Sequence, residues 1–157
     1  MIILTRIDDR LVHAQVVVGW GRELRPGRIV VADDRVASSE WERDLYASAA
    51  PPEIRVSILS VSEACERISA GEFDGERTIL LVRGPAEILR LLDMGLEIGE
   101  VNVGGMHFSD GKVKVLDNVY LDEEDRKALG ELARRGITLE ARALPRQEKV
   151  ILNPMVS

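Results

Sequence analysis

Six short apolar runs rich in β-branched residues recur along the chain, at 2–4, 29–31, 54–59, 79–82, 101–103 and 137–139, with stretches of helical spacing between them. Runs this short and this apolar read as buried strands. The helical signals have defined ends. Ser39 with Glu42, and Ser60 with Glu63, match a capping box, in which a hydroxyl and a carboxylate satisfy backbone donors reciprocally. Pro51-Pro52 stops the helix carrying Trp41 and Leu45, because proline lacks the donor and excludes helical conformation from its predecessor. Gly84-Pro85 opens another helix, with Ile88, Leu89 and Leu92 inward and Gly95 ending it. Asp122 opens a third, with acids at its positive end and Arg134-Arg135 before Gly136. Strands alternating with helices imply a doubly wound α/β fold: a single, mainly parallel sheet with helices on both faces. At 157 residues the chain fits one domain, 1–157. A small β-hairpin excursion is expected near 106–115, where Asp110-Gly111 lies between alternating runs.

Charge and composition exclude several function classes. A net charge of -6 repels a phosphate backbone, and no Lys/Arg cluster offers an exception, so nucleic acid is not an expected partner. One cysteine, Cys65, forms no internal disulfide, and with only two histidines leaves little for a metal site, so none is expected. Charged residues follow a five-residue opening, which leaves no room for a signal peptide core, and no run approaches the roughly 20 apolar residues of a membrane span. A cytoplasmic protein is expected.

In open α/β sheets, ligands bind beyond the carboxyl ends of strands, commonly beside the first. The loop expected there contains Arg6, Asp8, Asp9, Arg10, His13, Ala14 and Gln15. The apolar 16–20 stretch reads as a helix, which puts His13 near a helix N-terminus, a ready anion site. Arg10 and Arg6 precede the histidine closely enough for either guanidinium to meet a phosphate on the ring. Asp8 or Asp9 could fix the imidazole tautomer, and the sequence does not choose between them. Against this stands the bland reading: a lone histidine after a strand is more often a polar loop residue, and the charged pairs read equally as surface ion pairs of small consequence.

The run from Arg6 through His13 to Gln15, followed by Trp20, resembles the active-site signature of IIB components of the mannose/fructose/sorbose phosphotransferase family. A second segment, Val101-Asn102-Val103-Gly104-Gly105-Met106, is similar to one those proteins carry after their fifth strand. Weaker similarity at Ala50-Pro51-Pro52, 77–81 and Arg135-Gly136-Ile137 extends over nearly the whole chain. The resemblance implies a phosphoryl carrier that accepts phosphate from a IIA phosphohistidine on Nδ1 of His13. It passes the group to a sugar imported through the IIC and IID membrane components, at the inner face of the membrane. No cofactor is implied, and a homodimer is allowed. Arg10 is the first choice for contacting the phosphoryl group and Arg6 the second.

One departure is Ala14, where these proteins usually have glycine; a required positive φ there would strain the loop. Asn102, Gly104 and Gly105 would form the opposite wall of the site, or else a plain strand-to-turn transition. His107 reads as a surface histidine rather than a second proton carrier, and Trp20 and Trp41 as core or subunit contacts. A receiver-like signalling domain is the first rival, since Asp8-Asp9 could hold magnesium, but it would leave His13 without purpose. A nucleotide-binding module is the second, but the Gly-rich turn it would need after the first strand is missing, and a non-transport regulatory relative of the same fold, which Ala14 leaves open, is the third.

Overall fold

The structure, a computed structural model, describes residues 1–157. In chain order the elements are β1 (Ile2–Asp8), a π-helical turn (Gln15–Trp20) running into α1 (Gly21–Leu24), β2 (Arg28–Ala32), α2 (Asp34–Ala37), α3 (Glu40–Ser48), β3 (Arg55–Leu59) and α4 (Val61–Ser69). They continue with β4 (Thr78–Val82), α5 (Pro85–Asp93), β5 (Glu100–Gly105), β6 (Val113–Leu116), β7 (Val119–Leu121), α6 (Glu123–Arg134), β8 (Thr138–Ala141), β9 (Val150–Ile151) and α7 (Asn153–Val156). Seven strands form one sheet in the order β3-β2-β4-β1-β5-β8-β9, parallel except for the last pair.

Period-two alternation sorts the strand residues between two apolar layers. On one face Ile29, Val31, Ile79 and Leu81 pack with Leu11, Val16, Val17, Trp20 and Val36. On the other, Val30, Leu80, Val82, Val103 and Leu139 meet Ala64 and Cys65 of α4, Ile88 and Leu91 of α5, and Leu129 and Leu132 of α6. Each fully buried Val, Leu or Ile among them contributes roughly 1.5–3 kcal/mol. The first layer stops at β1. Over β5 and β8 the same face carries polar residues, and that is where the candidate site lies.

Three local expectations change. Strand β1 runs on through Asp8, so Arg6 and Asp8 belong to the strand and not to the loop after it. They tolerate strand burial because they neutralise one another (2.9 Å). At Ser39 and Ser60 only the hydroxyl arm of the cap forms, to Glu42 N and Glu63 N; Asp122 and Asp125 make the reciprocal box instead. The β excursion exists as β6 and β7, but it turns at Asp117-Asn118 (Asn118 φ 66) rather than at Asp110-Gly111. Backbone bonds from Met106 N to Asn118 O and from Tyr120 N to Met106 O fix that choice by docking β7 against the end of β5. On α5, Ile88 and Leu91 are the fully buried pair, with Leu89 and Leu92 beside them. Trp20 is buried as expected, whereas Trp41 is 72% exposed.

Candidate functional site

The site grows from the carboxyl end of β1. Alternation puts Leu4, Arg6 and Asp8 on one face and Ile7 in the opposite core. After Asp8 the chain reverses in a tight turn: its Oδ1 accepts from Arg10 N (3.0 Å) and its carbonyl from Leu11 N (3.0 Å). This is the aspartate turn in which a side chain mimics backbone. Leu11 takes φ 56, which is uncommon for a leucine, and its side chain is fully buried in the first apolar layer. Burying that leucine offsets the backbone strain and fixes the loop's direction.

The reversal brings His13 back over β1. Its Nε2 lies 2.8 Å from Asp8 Oδ2. A carboxylate only accepts, so Nε2 carries the proton in the neutral ring and Nδ1 keeps its lone pair. Nδ1 faces the start of the following helix, with Gln15 N donating to it over a long 3.4 Å. The ring is neither entombed nor loose, its side chain being 18% exposed. Ala14 has φ -53 and ψ -39, ordinary helical values, so the residue after the histidine needs no glycine here.

Asp8 is the hub. Its side chain is wholly buried, yet it receives His13 Nε2, Arg6 Nη2 (2.9 Å), Arg10 N and Arg10 Nε (3.4 Å). Burial works against its charged form, but the hydrogen bond to His13 and the Arg6 charge outweigh it and hold the carboxyl at about 2. The choice between the two aspartates is thereby made by geometry. Asp9 turns away to accept from His107 N (2.7 Å) and to meet His107 Nδ1 (2.5 Å). His107 therefore latches the segment after β5 to the end of β1 and makes no hydrogen bond to His13. Asp8, Asp9 and His107 offer ligand atoms within 4.8 Å of one another, but each is engaged in these bonds.

The two arginines part company. Arg10 is half-exposed and reaches Gln15 Oε1 with Nη2 (2.6 Å), so its guanidinium stands beside the residue whose N–H meets Nδ1. Arg6 has no exposed surface; it points along the sheet, giving Nη1 to Asn102 Oδ1 (2.7 Å) and to the Arg142 carbonyl (3.1 Å). The expectation that Arg6 could meet a phosphate directly is corrected by this burial: strand alternation turns it under the site.

Glycine is required on β5 for the same reason. A Cβ on Gly104 would lie 1.9 Å from Arg6 Cζ, and one on Gly105 would lie 2.7 Å from His107 Cε1 and 3.0 Å from Asp8 Oδ1. Gly104 leaves the slot that Arg6 fills, and Gly105 leaves the space taken by His107 and the Asp8 carboxylate. Asn102, Gly104 and Gly105 thus stand beneath and beside the loop rather than across an open cleft.

Sequence reading missed Glu140 and Arg142. Glu140 is 1% exposed and accepts from Asn102 Nδ2 (2.9 Å) and Arg142 Nε (2.9 Å). The available signal was a strand with polar residues at 138, 140 and 142 alternating with Leu139 and Ala141, which marks one polar face.

A family model described as PTS system sorbose subfamily IIB component matches residues 2–157. The mannose-specific EIIAB component of Escherichia coli (strain K12) is 37% identical over 154 residues, 98% of this chain and 48% of that protein. The chain thus spans about half the length of that relative. The fructose-specific EIIB component of Bacillus subtilis (strain 168) is 35% identical, over 92% of this chain and 88% of its own. Among solved structures, the IIBSor domain of the sorbose permease from Klebsiella pneumoniae superposes with a TM-score of 0.91 at 32% identity, covering 98% of this chain and 94% of that one.

Proposed function

The chain belongs to the sorbose subfamily of phosphotransferase-system IIB components, and from that premise we propose that it is a phosphoryl carrier acting through His13. In this reading a phosphohistidine on a IIA partner is attacked by the Nδ1 lone pair of His13. The donor's N–P bond breaks, a new N–P bond forms at Nδ1, and the donor imidazole leaves. A hydroxyl of a sugar held by the IIC and IID membrane components then takes the group, at the inner face of the membrane.

The observation that carries this reading is the contact of Asp8 Oδ2 with Nε2, which leaves Nδ1 as the nucleophilic nitrogen. The carboxylate also offsets the positive charge that the ring acquires once Nδ1 is phosphorylated. Arg10 and the Gln15 N–H supply donors where the phosphoryl oxygens arrive, which suits a loose transition state that depends on positioning and charge. The His13 side chain keeps part of its surface exposed, as a carrier meeting two successive partners requires. No helix of the protein is long and apolar enough to cross a membrane.

Incubation with a phosphorylated IIA domain tests the proposal. Wild type takes up label that is acid-labile and alkali-stable, His13→Ala takes up none while keeping its circular dichroism, and Arg10→Ala is labelled slowly. Label retained by His13→Ala, or absent from wild type, ends this reading.

A further inference from the structure

Beneath the site lies a row of polar side chains that the carrier function does not by itself require. Parallel pairing sets Arg6 of β1 opposite Asn102 of β5, and Asn102 opposite Glu140 of β8. These residues lie on the face where the first apolar layer ends. Arg6, Asn102 and Glu140 are each 1% exposed or less. A continuous line of hydrogen bonds joins them: Glu140 Oε1 accepts from Asn102 Nδ2, Asn102 Oδ1 accepts from Arg6 Nη1, and Arg6 Nη2 donates to the Asp8 oxygen that faces His13.

The line has a direction, set at its far end. Three donors converge on Glu140: Asn102 Nδ2, Arg142 Nε and Arg142 Nη2 (3.2 Å). Only a carboxylate, with two oxygens and no hydrogen, satisfies all three. Its presence, with the Arg142 carbonyl that also accepts from Asn102 Nδ2 (3.2 Å), turns the amide's NH2 toward β8 and its oxygen toward β1. That oxygen, with the Arg142 carbonyl, fixes where Arg6 Nη1 goes, and the rigid guanidinium fork then fixes Nη2 on Asp8. Arg142 closes the far end, with its Nη1 on the Pro145 carbonyl (2.9 Å). Trp20, the last residue of the π-helical turn after the reactive loop, has the Arg6 and Arg142 guanidinium groups over its ring at 5.5 and 5.2 Å and donates to Ala143 O.

We propose that Glu140 is a positioning residue for His13, acting through Asn102, Arg6 and Asp8. Its carboxylate orients the relay so that Asp8 Oδ2 stays aligned on Nε2, which keeps Nδ1 as the free nitrogen. This inference rests on the reading of His13 as the phosphoryl acceptor, but its geometry does not. Glu140→Gln brings an NH2 group against either Asn102 or Arg142, so one link of the line must turn. The Asn102 amide can then present a donor to Arg6, and the guanidinium loses its seat.

The test combines two readouts on the full chain. In Glu140→Gln, the rate of phosphoryl acceptance from a phosphorylated IIA donor falls on the order of tenfold, the loss typical of an outer partner of a reacting group, while the KM for the donor stays unchanged. In the unphosphorylated protein, the 15N signals of the His13 ring move toward a mixture of the two neutral tautomers. A purely structural residue would lower the melting temperature without moving those signals. Asn102→Asp is isosteric but sets a carboxylate oxygen in place of the donor 2.9 Å from Glu140 Oε1, which breaks the same link from the other side, so it shifts the same signals and serves as the test if Glu140→Gln does not fold. Wild-type ring signals and transfer rate in the folded variants overturn the inference. Should wild type accept no phosphate, the carrier reading fails and the ring signals still judge the relay.

Discussion

Asp8→Asn is the substitution that most directly probes the hub. The asparagine is isosteric but offers one acceptor oxygen where the carboxylate offers two, and it brings an NH2 group against donors on one side or the other: Arg6 Nη2 and His13 Nε2, or Arg10 N and Nε. It also leaves the Arg6 guanidinium buried beside a neutral group. Breaking a buried pair by removing one partner costs about 3–5 kcal/mol. Glu140, the other carboxylate acting on Arg6, compensates in part, so the low end of about 3 kcal/mol is expected. For a protein of this length that lowers the melting temperature by about 6–12 °C.

An independent figure comes from ionisation. Asp8 sits at about 2 in the folded protein against an ordinary 3.8. The folded value is the depressed one, so this contribution is fully present above pH ~4 and is lost as pH falls through the folded value; its size is about 2 kcal/mol. Urea denaturation of wild type and variant at intervals from pH 7 to pH 2 is the assay. The gap between the two is constant above pH ~4 and narrows by about 2 kcal/mol on acidification. A variant within 1 kcal/mol of wild type at neutral pH would refute the reasoning, as would two curves falling in parallel through the acid range.

Two other substitutions give sharp expectations. Gly104→Ala places a methyl inside the Arg6 guanidinium, so the arginine must leave its slot; a loss of about 3–5 kcal/mol in denaturant unfolding is expected, and a near-neutral result would show that the slot yields. Ala14→Gly installs the residue that the family resemblance implies at a position with helical dihedrals, so it costs about 0.5–1 kcal/mol in the same measurement and leaves the transfer rate unchanged, whereas a faster rate would mean that the working loop adopts another conformation.

Much of the architecture was legible because it rests on local patterns. The six apolar runs appear in β1, β2, β3, β4, β5 and β8, and the capping serines and prolines bound the helices where expected. The hairpin turn was misplaced because Asp110-Gly111 and Asp117-Asn118 both carry turn chemistry. What selects between them is the docking of Met106 on β7, a tertiary contact. At the site, the density of charged groups around His13 pointed to the right segment, while the division of labour within it stayed open. Arg6 and Arg10 are chemically alike; one is sealed inside the sheet and the other stands half-exposed beside the ring.

The sequence by itself determined the alternation of strands and helices, the strand end at which chemistry gathers, and the single histidine beside two arginines and two aspartates, because periodicity and composition are properties of neighbouring residues. Tertiary structure decided which aspartate holds the ring, which arginine is buried, and why positions 104 and 105 carry no side chain. Those outcomes depend on partners 96 residues away for Arg6 and Asn102, and 38 for Asn102 and Glu140. Strand register alone brings such groups to hydrogen-bonding distance. In a buried row it leaves each charged group only one set of neighbours that can satisfy it.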